Sequence, residues 1–307
     1  MAPLGPSPRR RLSLLTRRDK VVLGWMVGVP LLLDLALIWG AAIVSFLLSF
    51  TNWTGIGGIT ASNVVGLQNY EDLFDGTYPF FWPAVQHNLL WLAFLMFVAT
   101  PLGIFMAVLL DREIRGTRVY QTVFYLPVVL SLAVIGLIWQ LQYSVDNGFV
   151  DNALRALGNE NPPDWFGDPR LNIWSAVVAA SWRHVGYIMI LYLAGLKAFD
   201  PTLREAATMD GASERQTFFH VVFPAMRPIN IVIVVITAIE ALRAFDIAYI
   251  INGGRNGLEL LSTLITNNSI SESNRIGFGS AIAVVLLVIS LVPITAFLVR
   301  MTREEQT

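Results

Sequence analysis

The sequence contains no cysteine, and only 14% of its 307 residues are charged. The lack of cysteine excludes disulfide bonds, thiol nucleophiles and cysteine-based metal sites. The three histidines, His87, His184 and His220, are scattered and match no metal-ligand spacing. The G-x-x-x-x-G-K-S/T loop that cradles nucleotide phosphates is absent, and so is the G-x-S-x-G nucleophile elbow. We therefore expect no catalytic residue, no metal and no cofactor, and we predict that the chain is not an enzyme.

The scarcity of charge indicates a lipid environment. A soluble domain usually carries about a quarter charged residues, whereas this chain is 55% hydrophobic with a net charge of −1, which suggests no nucleic-acid partner. A hydrocarbon core of roughly 30 Å needs about 20 apolar residues per helix. Six stretches are long enough to span it: 21–50, 85–110, 119–142, 172–198, 228–251 and 278–300. We predict an all-α polytopic membrane protein with six transmembrane helices and tails at 1–20 and 301–307.

The distribution of lysine and arginine predicts the orientation of these spans. With the N-terminus inside, fifteen of the 21 positive residues fall in cytoplasmic segments and four in outer ones. Positive residues of membrane proteins concentrate on the cytoplasmic side. We therefore predict that both termini and the loop 199–227 are cytoplasmic.

The loop 199–227 carries local signals for two short helices. Asp200 is a good N-cap and is followed by a proline, which suits the first helical position. Gly211 suits a left-handed helix stop, and Ser213 with Gln216 has the spacing of a capping box that starts a second helix. The sequence therefore predicts a helix, a glycine bend and a second helix.

The second of these helices presents Phe218 and Phe219 on a surface that should be wet. One interpretation is an amphipathic segment that rests on lipid headgroups. The loop, however, carries charges of both signs and has no broad basic face. We favour the alternative, a rigid and partly apolar helix pair that docks into a groove of a soluble partner.

The stretch EAATMDGASERQTFFHVVFP (205–224) resembles the EAA loop of ABC importer permeases. The stretches 65–92, 115–140, 147–158, 190–212 and 244–257 extend the resemblance over nearly the whole chain. The chain is most similar to the maltose- and glycerol-phosphate-type permeases of carbohydrate ABC importers. By this resemblance, the ATPase-coupling residues are Glu205, Ala206, Ala207, Asp210, Gly211, Phe218, Phe219 and Pro224.

The resemblance implies a type I ABC importer (MetI-like) permease fold in a bacterial or archaeal plasma membrane. It implies three kinds of protein partner, namely a second permease subunit in a heterodimer, two cytoplasmic ATPase subunits and an extracytoplasmic solute-binding protein that is either soluble or lipid-anchored. It also implies a carbohydrate substrate. In this family the EAA loop sits in a cleft of the ATPase, and ATP hydrolysis belongs to that partner.

Polar residues within the predicted spans are candidates for the substrate pathway, because charges facing lipid are costly. These candidates are Gln140, Arg183, Glu240, Arg243, Asp246 and Tyr249. Glu240, Arg243 and Asp246 are three residues apart, which places them on one side of a helix. Other interpretations remain open: Glu240 and Arg243 neutralise each other, while Arg183 and Asp246 snorkel or cap near span ends.

A second hypothesis belongs to another class, an ion-coupled secondary transporter or channel. Such a protein often shows inverted repeats and carries ion-coupling acids near the membrane midplane. No repeat is evident here, and a secondary transporter needs no cytoplasmic helix pair. The importer hypothesis is therefore favoured.

Overall fold

The computed structural model describes residues 16–112, 115–145, 147–271 and 274–304. Within these residues the regular elements are helical, apart from one bridge between Thr51 and Val64, and the all-α prediction is confirmed. The helices are α1 Arg17–Leu48, α2 Gln68–Phe74, α3 Phe81–Asp111, α4 Thr117–Val129, α5 Leu132–Gln142, α6 Phe149–Ala156, α7 Asn172–Ala198, α8 Pro201–Met209, α9 at 214–225, α10 Arg227–Leu242, α11 Asp246–Asn252, α12 Leu261–Thr266 and α13 Ile276–Glu304. Single π-helical turns lie within α1, α3 and α9 and after α12. Of the predicted tails, 1–15 and 305–307 lie outside the described residues.

Four of these helices are long and apolar enough to cross a membrane, namely α1, α3, α7 and α13. The pair α4 and α5 makes a fifth span if the two are taken together, although they are bent by 103°. The 16-residue α10 is about 24 Å long, which is shorter than a typical hydrocarbon core. The predicted spans at 119–142 and 228–251 are thus each divided between two helices, and the number of six crossings stays a prediction.

The break between α4 and α5 follows from local sequence. Pro127 lies in the last turn of α4 and cannot donate a backbone hydrogen bond there. Leu130 is extended, with ψ of 145°, and Ser131 caps α5 by accepting from the backbone N–H of Val134 at 3.3 Å. A helix stop and a helix start in succession produce the bend.

The break between α10 and α11 depends on a tertiary contact. The chain leaves the helical conformation at Phe245, where φ is −141° and ψ is −60°. The hydroxyl of Ser262, in α12, donates to the carbonyl oxygen of Ala244. Irregular backbone at membrane depth is tolerated only when its polar groups are paired or line a cavity, and this hydroxyl supplies one such partner.

The centre of the bundle is α7, which packs against α3, α4, α5, α10 and α11. Two glycines allow its close approach to neighbouring helices. A Cβ at Gly103 would lie 2.8 Å from Cβ of Ile188, and a Cβ at Gly186 would lie 2.2 Å from the carbonyl oxygen of Phe124. Small residues at helix contacts are the usual means of tight packing in membranes.

By contrast, α1 stands away from the bundle. None of the residues Arg17–Asp34 is buried, and the helix packs on α13 through its last part, Gly40–Leu48. A capping box between Thr16 and Asp19 starts it. Its long apolar surface is therefore left for lipid or for another chain.

Candidate functional site

The segment 199–227 forms the predicted pair of helices, α8 and α9, and each local signal is confirmed. Asp200 accepts a hydrogen bond from the backbone N–H of Thr202 at 3.0 Å, and this bond holds the pKa of the Asp200 carboxyl below its usual value. Gly211 adopts φ of +81°, the left-handed conformation that ends α8. Ser213 and Gln216 exchange the two hydrogen bonds of a capping box. The bend is thus fixed by its own residues.

The coupling residues named from the sequence divide into two groups. Six are exposed: Glu205, Ala206, Asp210, Gly211, Phe219 and Pro224. Ala207 is buried and Phe218 is half-buried against the rest of the chain, so both support the segment from inside. Sequence reasoning missed Met209, which is 88% exposed at the end of α8 beside the other exposed positions. Its place four residues after Glu205 was the available signal.

A cavity of about 240 Å³ with both charged and apolar side chains in its wall lies between α3, α5, α7 and the break after α10. We call it the polar cavity after its charged side chains. Four of the six pathway candidates line it together: Arg183, Glu240, Arg243 and Asp246. The prediction that the last three share one helix is wrong, because α10 ends before Arg243 and α11 begins at Asp246. The break, rather than a helical period, brings them to one cavity.

The other two candidates lie elsewhere. Gln140 donates its side-chain N–H to the carbonyl oxygen of Ile251 at 3.3 Å and so ties α5 to α11. Tyr249 stacks on Phe245 with ring centroids 4.9 Å apart. Neither lines the polar cavity, and their place in the substrate pathway stays a prediction.

Glu240 makes the principal ion pair of the cavity. Its Oε1 accepts from Nη1 of Arg183 at 3.0 Å, and its Oε2 contacts Nδ1 of His184 at 2.7 Å. The suggestion that Glu240 and Arg243 neutralise each other is therefore wrong, since the partners of Glu240 come from α7. Arg243 and Asp246 are exposed, and neither forms an ion pair within the described part of the chain.

Behind Glu240 lies a buried polar network that sequence reasoning did not find. Nε2 of His184 is 3.1 Å from the hydroxyl of Thr100 and 3.3 Å from that of Thr237, and the two hydroxyls are 3.2 Å apart. His184 is 2% exposed. The network joins α3, α7 and α10 and fixes the imidazole that faces Glu240. No spacing in the sequence reveals it, because its members are far apart in the chain.

Comparisons with known proteins agree with this geometry. Residues 99–303 match the model of the family described as binding-protein-dependent transport system inner membrane component. The chain belongs to this family. The matched range contains the whole segment 199–227, which we name the coupling segment after its predicted role, and every residue of the polar cavity except Trp91 and Leu95.

Individual relatives cover most of the chain. The xylose/arabinose import permease protein XacH of Haloferax volcanii is 32% identical over 267 residues, which is 86% of this chain and 83% of the relative. The probable ABC transporter permease protein YurN of Bacillus subtilis is 33% identical over 276 residues, 88% and 92% of the two chains. A crystal structure of a bacterial ABC transporter that imports alginate has a TM-score of 0.76 at 20% identity, covering 96% of this chain and 99% of that one.

The protein is thus an ABC transporter permease, a membrane component and not itself the ATPase. The hypothesis of an ion-coupled secondary transporter or channel is set aside by the family. The similar fold of the alginate transporter supports the predicted permease architecture.

Proposed function

We propose that this permease is one transmembrane subunit of an ATP-binding-cassette importer for a sugar or sugar derivative. The observation that carries the proposal is the exposed, internally capped helix pair of 199–227, which offers a rigid docking surface. The name of the Haloferax volcanii relative, an import permease for xylose and arabinose, supports a sugar as the cargo.

The polar cavity is the proposed sugar path through this subunit. Arg243 and Asp246 present an exposed donor and an exposed acceptor. Sugar hydroxyls donate and accept hydrogen bonds, so they match this set of groups. The cavity has two formally positive and two negative side chains and does not require a charged cargo.

The partners follow from the surfaces that the chain leaves open. The exposed face of α8 and α9 docks on one of two cytoplasmic ATPase subunits. The unpacked apolar surface of α1 is available to a second permease subunit, in a heterodimer that encloses the path. An extracytoplasmic solute-binding protein, which the family description names as a requirement of the system, delivers the sugar to the outer loops.

The orientation rests on charge. The excess of lysine and arginine in the tails and in 199–227 supports a cytoplasmic location for both termini and for the coupling segment. The membrane is the plasma membrane of a bacterium or an archaeon. ATP binding closes the ATPase pair, displaces the coupling segments and reorients the two permeases as rigid bodies, and hydrolysis resets them.

The test is co-purification of the permease with its ATPase, second permease and binding protein, followed by ATPase and uptake assays in proteoliposomes. Glu205→Lys reverses an exposed charge on the docking face, and we expect it to release the ATPase or to abolish ATP-driven uptake. Glu160→Lys makes the same change on an exposed residue between α6 and α7 and should retain the ATPase. Unchanged ATPase binding and uptake in Glu205→Lys would refute the docking role.

A further inference from the structure

The C-terminal end of α3 carries an acid where helix electrostatics disfavour one. The last residue of α3 is Asp111, next to the negative end of the helix dipole. Its side chain is only 9% exposed, and it accepts from Nζ of Lys197 at 3.3 Å and from Nη1 of Arg204 at 3.0 Å. Lys197 lies in the last turn of α7, and Arg204 lies in α8. Asp111 therefore joins α3, α7 and the first coupling helix.

The next residue bears the opposite charge and contacts the other coupling helix. Nη2 of Arg112 lies 2.7 Å from Oε2 of Glu214, the first residue of α9. Both side chains of this pair are largely exposed. Two adjacent residues of opposite sign thus each hold one of the two coupling helices.

These ion pairs border a cavity of about 330 Å³ that lies between the coupling segment and the ends of α3 and α7. Groups that face a void lose their dispersion contacts on that side. Val222, which also lines this cavity, packs against α3 and α7. Beside this apolar contact, the ion pairs of Asp111 and Arg112 connect both coupling helices to α3.

The other end of this connection is the polar cavity. Thr100 lies eleven residues before Asp111 in α3, about 16 Å along the helix, and takes part in the His184 network. Trp91 and Leu95 of the same helix line the polar cavity. A single packed helix therefore runs from the coupling segment to the proposed sugar path.

We propose that Asp111 and Arg112 are positioning residues that clamp both coupling helices to α3, so that displacement of the segment by the ATPase moves α3 and opens or closes the polar cavity. The inference rests on the proposed function, because it assumes that an ATPase drives the segment. Asp111 contributes more to this clamp than Arg112 does, because its charge is buried and has two cationic partners. The pair formed by Arg112 is exposed, and exposed ion pairs contribute little.

The native chain has no cysteine, so spin labels can be placed on it selectively. Labels on Leu102→Cys, at an exposed position of α3, and Phe149→Cys, on the exposed end of α6, report the distance between α3 and a distant loop. Pulsed electron resonance on the full complex with cysteine-free partners, with and without ATP and vanadate, measures the fraction of complexes whose distance changes.

We expect Asp111→Asn to lower the ATP-responsive fraction about tenfold and Arg112→Glu to lower it about threefold, while the ATPase still co-purifies. The double variant Arg112→Glu/Glu214→Arg reverses the exposed pair and should return the fraction to near the native value. Arg118→Glu, an exposed change of equal charge in the first turn of α4, should leave it unchanged.

The outcomes distinguish a failure of the proposed clamp from a failure of the proposed function. A native complex that retains no ATPase refutes the proposed function. A native complex that responds to ATP, with Asp111→Asn and Arg112→Glu responding equally well, overturns the clamp and leaves the function standing. If Asp111→Asn fails to fold, the exposed Arg112 and Glu214 variants decide, because a failure of the reversed pair to recover the response also overturns the clamp.

Discussion

Replacement of Glu240 by glutamine tests the ion pair at the centre of the polar cavity. The change removes the negative charge and keeps the shape of the side chain. In the native protein, one carboxylate oxygen of Glu240 accepts from Arg183 and the other contacts His184. A glutamine has one carbonyl oxygen and one amide nitrogen, so it can accept from only one of these two partners.

The two partners respond differently to this loss. His184 can shift its proton from Nδ1 to Nε2, because the hydroxyls of Thr100 and Thr237 can rotate to accept it. The imidazole then accepts from the amide of the glutamine and loses little. Arg183 cannot adapt, since it stays charged and is left with a neutral acceptor in a mostly buried position. We expect the free energy of unfolding to fall by about 1 kcal/mol, the difference between a charge-assisted and a neutral hydrogen bond.

The measurement is the free energy of unfolding in mixed micelles, from titration with a denaturing detergent followed by circular dichroism. Thr237→Val serves as the matched control, because it removes a neutral hydroxyl from the same network. Hydrogen bonds between transmembrane helices average about 0.6 kcal/mol. If Glu240→Gln costs no more than Thr237→Val, the charge of Glu240 does not hold Arg183, and the account of the cavity fails.

Two further predictions concern packing and the outer loop. Gly186→Ala places a Cβ 2.2 Å from the backbone oxygen of Phe124 and should lower the free energy of unfolding in detergent by about 1–3 kcal/mol. The control Gly24→Ala places a Cβ with nothing within 4 Å and should not lower it. Equal effects of the two substitutions would contradict the close packing of α4 on α7. Asn69→Ala removes the amide that donates to two backbone oxygens, both at 2.8 Å, and should lower the free energy of unfolding by about 2 kcal/mol, a loss that unchanged thermal unfolding would disprove.

The coupling segment was predictable because its signals are local. Asp200, Gly211 and Ser213 each act on residues within a few positions, so the capping and the bend are written in contiguous sequence. The burial of Ala207 was not predictable in this way. It depends on which face of α8 turns toward the bundle, and that is set by packing against distant helices.

The polar cavity was predictable in its residue types and not in its geometry. Charged residues in spans predicted a polar interior, and four of the six named residues do meet there. The prediction that Glu240, Arg243 and Asp246 share one helix is wrong because the chain breaks between α10 and α11. The hydroxyl of Ser262, in a later helix, supports this break, which no local sequence signal predicts. The pairing of Glu240 with Arg183 likewise joins residues 57 positions apart, beyond the reach of any local pattern.

The break between α10 and α11 satisfies two requirements at once. A membrane helix that stops within the bundle exposes backbone groups that must be paired or hydrated, and charged side chains at that depth need the same conditions. Arg243 and Asp246 lie on either side of the break, so the irregular backbone and the charged side chains meet at one polar cavity. The irregular backbone therefore lies beside the same charged residues that line the cavity proposed as the sugar path.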